Sequence, residues 1–179
     1  MSLPASTFAF GLLLVALGAP LFLGSTRAIG LFKALPRSKG AAVVCFGAGA
    51  VWFLVQVWNL SPADFGDYRL PLFVAFGALS VLAFRCVPEF LAVRGLCALM
   101  LLAAWPLLMS AYMEYEHPQR LFFVTAVYVG IALAIWLGAQ PWRLRDFLEW
   151  LFARPGRTRG IGGALAAYGL LLCGLAFTY

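Results

Sequence analysis

The sequence predicts an all-α integral membrane protein: a six-transmembrane-helix bundle with one short cytoplasmic amphipathic interfacial helix. Three observations predict it. Of the 179 residues, 64% are hydrophobic and only 11% charged, and the mean hydropathy is +0.93. A soluble domain is nearer half apolar and a quarter charged, so water is not the solvent for most of this surface. The apolar residues also fall in long blocks, several close to the roughly 20 residues a helix needs to cross a bilayer. Finally, the blocks lack the period-two alternation of a membrane barrel. Backbone groups in hydrocarbon must be satisfied within the segment, which leaves helices.

The first predicted helix covers residues 7–24, TFAFGLLLVALGAPLFLG. No basic residue precedes it, whereas Arg27, Lys33, Arg37 and Lys39 follow. A cleavable signal has its positive charge ahead of the apolar run, so an uncleaved helix with an external N-terminus is expected. The second helix is 41–60 and the third 70–87, with Pro71 tolerated in its first turn. Pro88 marks a break before the fourth helix, 90–113, which Pro106 bends. The fifth is 121–137 and the sixth 161–179, giving one polytopic membrane domain over 1–179.

Between the fifth and sixth blocks, PWRLRDFLEWLFARP places Leu144, Phe147, Leu148, Leu151 and Phe152 on one helical face. Arg145, Asp146 and Glu149 lie opposite, and Trp142 and Trp150 suit the headgroup zone. Pro141 opens this segment and Pro155 closes it, so 142–154 reads as an interfacial helix. Docking of a soluble partner is the second reading of the same face.

Orientation follows from the basic residues. The 25–40 loop, the junction of helices three and four, and the 138–160 loop together carry eleven Lys and Arg; the other two loops carry Arg69 and Arg120. The positive-inside rule then puts both termini outside a bacterial inner membrane. The net charge of +6 belongs to cytoplasmic loops rather than to a nucleic-acid surface.

Two of those loops carry nearly the same phrase, LFKALPRSKG at 31–40 and LFARPGRTRG at 151–160. Ser38 faces Thr158 and Lys39 faces Arg159. Each copy joins an apolar pair, a proline, basic residues and a glycine at the entry to a membrane helix. Interface chemistry acting twice accounts for this; a duplicated hairpin, with helices one and two matching five and six, is the alternative.

Chemistry-bearing residues are few. His117 is the only histidine, which excludes a bis-His haem or a di-iron site built from repeated E-x-x-H motifs within one chain. Cys45, Cys86, Cys97 and Cys173 form no CxxC pair, and packed free thiols are expected. Glu114 and His117 have E-x-x-H spacing once, followed by Pro118. With Glu116, and with Asp64 and Asp67 from the neighbouring external loop, they are the candidate external cation or proton site. Arg85, Arg94, Arg143, Arg145, Arg157 and Arg159 are candidate lipid-phosphate contacts, Arg85 and Arg94 clustering with Glu89. Gln56 is a candidate for hydrogen bonding across helices. Small residues at four-residue spacing (Ala41, Cys45, Gly49; Gly162, Ala166; Gly163, Ala167) mark faces for close helix packing, within the chain or against another subunit.

No catalytic motif, metal site or cofactor fingerprint is present, and none is expected. The expected partners are the lipid bilayer and other membrane subunits or a second copy of the chain, with no nucleic acid. The function that fits best is an accessory, scaffold or assembly subunit of a larger membrane complex. A small transporter or channel component comes second and a lipid-processing enzyme third.

Overall fold

The computed structural model describes residues 2–179, and all of their regular structure is helical. Among these residues there are eight α-helices: α1 (Leu3–Phe22), α2 (Thr26–Ala34), α3 (Lys39–Trp58), α4 (Arg69–Cys86), α5 (Leu91–Ser110), α6 (Arg120–Ala139), α7 (Trp142–Phe152) and α8 (Pro155–Leu175). Six of them, α1, α3, α4, α5, α6 and α8, are long and apolar enough to cross a membrane. Single 3-10 turns occupy Leu35–Arg37, Pro62–Asp64 and Gly66–Tyr68.

The helix ends differ from the sequence reading where special residues sit. Pro4 falls in the first turn of α1, where its missing N–H costs nothing, so the helix begins four residues before 7. Its last residue is Phe22, and Gly24, with a φ of +67°, closes the turn that follows. Residues 111–113 leave the fourth helix, and Met113 takes a left-handed φ of 62°. The largest shift is in α8, which opens at Pro155 rather than at 161. Pro155 does not close the preceding segment; it starts the next helix, so PGRTRG, read as loop because of its charge, is helical.

A second correction concerns residues 25–40, read as a loop. Ser25 Oγ accepts from the Ala28 N–H at 3.5 Å, and nine residues from Thr26 form α2. Its half-buried residues Ala28, Ile29 and Phe32 share one face, and Arg27 and Lys33 are exposed.

The chain divides into two compact units. One comprises Met1–Ala34, Ala103–Leu133 and Arg145–Tyr179. Its centre is the antiparallel pair α1 and α8. A Cβ on Gly18 would lie 2.6 Å from the Gly162 carbonyl oxygen, and one on Gly169 would lie 2.6 Å from the Gly11 carbonyl oxygen. Backbones this close need glycine on both helices, and the seven-residue spacing (Gly11 and Gly18; Gly162 and Gly169) keeps the four on the facing stripes. Phe123, Val127 and Leu172 are fully buried in this unit, and Phe10 meets Phe123 edge-on with ring centroids 5.8 Å apart.

The other unit comprises Leu35–Leu102 and Ala134–Leu144. Here α3 packs on α5 at Gly95, where a Cβ would run into the backbone of Cys45 and Phe46. The small face Ala41, Cys45, Gly49 is therefore used within the chain: Gly49 lies against Gly95 and Ala98, and Ala41 packs on a core of Ala42, Leu91 and Ala92. A different device attaches α4 to α3. Phe46–Phe84, Phe53–Phe76 and Trp58–Phe73 form three edge-to-face pairs at 5.4, 5.1 and 5.5 Å. The start of α5 and the end of α6 enclose Val93, Cys97 and Ala134.

Candidate functional site

The α7 segment carries the densest polar chemistry. Its apolar residues do not form one lipid-type face. Leu148 and Leu151 are buried in the protein, whereas Phe147 and Trp150 are exposed and stacked at 6.0 Å. The helix has three sides: a packed one, an exposed aromatic one and a charged one. On the charged side Arg145 donates to Asp146 at 2.7 Å and lies 3.7 Å from Glu149. The hydrogen bond and charge of Asp146 hold the Arg145 guanidinium even further above its usual range.

The α7–α8 junction is fixed by the second copy of the repeated phrase. The Thr158 hydroxyl, 3% exposed, donates to the Leu151 carbonyl at 3.0 Å. The Arg157 guanidinium donates to the Trp150 carbonyl at 3.2 Å and lies 4.5 Å over its ring. In the first copy Ser38 acts otherwise, capping α3 by accepting from the Ala41 N–H at 3.2 Å.

The six arginines proposed for lipid phosphate separate into two groups. Arg143, Arg145 and Arg157 are occupied within the protein, Arg143 by Gln140 at 2.5 Å and by the Trp136 ring. Arg85, Arg94 and Arg159 have no ion-pair or side-chain hydrogen-bond partner among the described residues. The expected Arg85–Glu89–Arg94 cluster contains no ion pair among those residues. Arg85 ends α4 and Arg94 sits in the first turn of α5, with the turn at 87–90 between them.

The five residues of the candidate cation or proton site belong to different units: Asp64 and Asp67 to one, Glu114, Glu116 and His117 to the other. Asp64 accepts from the Ser61 hydroxyl at 2.9 Å and closes its own turn. His117 packs its ring edge-on against Tyr179 at 5.4 Å. No group of three or more His, Cys, Asp or Glu among the described residues is placed to hold a metal ion. Gln56 is exposed near the end of α3 and makes no side-chain hydrogen bond among the described residues, so it does not tie helices together.

Two features escaped sequence reasoning. Ser6 and Thr7 are fully buried in α1, and neither hydroxyl has a partner among the described residues. Nothing in MSLPASTF distinguishes them from residues at a helix mouth. The second is a groove at the start of α3 that gathers Arg37, Lys39 and Glu89 from stretches far apart in sequence. No protein-family model, curated protein or solved structure matches the chain.

Proposed function

We propose that the chain is a multi-pass membrane protein, its basic loops cytoplasmic, that serves as an accessory, scaffold or assembly subunit of a larger membrane complex. Six spanning-length apolar helices support insertion. So do the aromatic residues at helix ends, Trp58, Tyr68, Tyr112 and Tyr115 on segments expected outside and Trp142 and Trp150 on those expected inside.

The observation that carries the subunit reading is α4. It is the one spanning-length helix among the described residues that buries none of its side chains in the protein. Leu70, Val74 and Val81 are exposed in helical register with Gly77, and a side chain at Gly77 would meet nothing within 4 Å. A valine-flanked glycine notch is the surface that lets another helix approach closely, and lipid gains little from it. The Val44, Gly47, Val51 stripe of α3 repeats the pattern.

The test is gentle extraction from native membranes, intact-complex mass measurement, and a photoreactive residue at Val74 or Val81. The proposal expects a companion at fixed stoichiometry that crosslinks from both α4 positions. A lone chain whose α4 crosslinks only to lipid would overturn it, and flux assays in liposomes would then take precedence.

A further inference from the structure

The groove at the head of α3 has two halves of opposite character. Arg37, Ser38 and Lys39 form one half, and Ala42, Val43, Phe84 and Leu91 line the other, around about 320 Å³. A second depression of about 430 Å³ shares Arg37, Lys39 and Pro88 and adds Glu89 and Phe90. All of these residues belong to one compact unit.

Among the described residues, neither Arg37 nor Lys39 is matched by a carboxylate within ion-pair distance, although Glu89 lines the same depression. Backbone donors are left over as well. Ser38 satisfies two of the first N–H groups of α3, through its hydroxyl to Ala41 and its carbonyl to Ala42. The N–H groups of Lys39 and Gly40 have no partner of this kind. Gly40 leaves its side of the backbone open, since a Cβ there would touch only Ser38 Oγ, at 3.9 Å. Two cations, two free amides and the positive end of a 20-residue helix suit one oxyanion. The adjoining apolar trough has no use for a soluble anion but matches a hydrocarbon chain attached to one.

We infer that this groove binds a glycerophospholipid with an anionic phosphodiester headgroup. Its phosphate sits against Arg37, Lys39 and the first turn of α3, and one acyl chain lies on the exposed faces of Val43 and Phe84. Glu89 at the rim opposes further negative charge, which favours a phosphodiester over a phosphomonoester. The inference rests on the membrane reading above but not on the existence of a companion subunit, so it is tested on the isolated chain in detergent.

The experiment is native mass spectrometry of the purified chain titrated with phosphatidylglycerol. One lipid should bind ahead of the rest. Arg37→Ala with Lys39→Ala should weaken that first binding by at least about tenfold. Val43→Trp, which fills the apolar half and leaves both cations, should weaken it as well. Arg27→Ala with Arg154→Ala removes the same charge elsewhere and should leave it unchanged. Three results would overturn the inference: equal loss in the charge control, full retention in Val43→Trp, or displacement of the lipid by millimolar inorganic phosphate, which would make this a soluble-anion site.

Discussion

Two threonines carry opposite expectations for the same substitution. Thr158 spends its buried hydroxyl on the Leu151 carbonyl, so Thr158→Val leaves that acceptor unpaired. A loss of about 1 kcal/mol is expected from thermal unfolding in detergent. Thr7 is equally buried with no partner, so Thr7→Val removes an unsatisfied hydroxyl and should be neutral or stabilising by up to about 1 kcal/mol. Equal destabilisation by both would contradict the assignment. The glycines allow the same contrast. At Gly18 an added side chain meets the backbone of Ala166 and Gly162, so Gly18→Leu should cost about 1–3 kcal/mol and loosen α1 from α8. Gly77→Ala enters open space and should stay within about 0.5 kcal/mol of the parent. The Gly11/Gly18 and Gly162/Gly169 spacings stand in the sequence, but only the approach of α1 to α8 makes them one contact. The orphan hydroxyls were not readable, because burial depends on which helix arrives opposite.

At the scale of elements, two packing devices divide the work. Glycine stripes bring α1 to α8 and α5 to α3 at backbone contact, while aromatic pairs hold α4 to α3 at arm's length. A double-mutant cycle on Phe53→Leu and Phe76→Leu should give a coupling of about 0.5–1.5 kcal/mol. A coupling near zero would mean that the rings only fill space. All six long helices were legible because apolar length alone specifies them. The helix after Pro141 was legible too, ending at Phe152, although its apolar residues divide between a buried side and an exposed one. The nine residues of α2 were not, since a short helix with basic residues on one side resembles a loop. The repeated phrase explains itself at this scale. Both copies finish an amphipathic helix, break the chain and lead into a spanning-length helix, yet Ser38 caps while Thr158 ties back to α7. Pro155 makes the difference by starting α8 before its threonine is reached.

Across the whole molecule, charge divides by segment. Arg and Lys gather on the segments around α2, the α4–α5 turn and α7, and Asp64, Asp67, Glu114 and Glu116 lie on the connections after α3 and α5. The candidate phosphate groove shows where sequence reading stops. Arg37 and Lys39 counted only as loop charges; Ala42 and Val43 follow them in α3, but Phe84 and Leu91 come from α4 and α5, so the fold completes the groove. In the proposed topology the six long helices cross a membrane with the basic segments on the cytoplasmic side. Substituted-cysteine labelling tests it most directly, with Cys45, Cys86, Cys97 and Cys173 replaced and one cysteine introduced at a time in intact cells. Asp64→Cys, Glu114→Cys and Glu116→Cys should react with a membrane-impermeant maleimide from outside, and Lys33→Cys and Arg154→Cys only after the cytoplasmic face is opened. The reverse pattern, or equal labelling at all five positions, would contradict this topology.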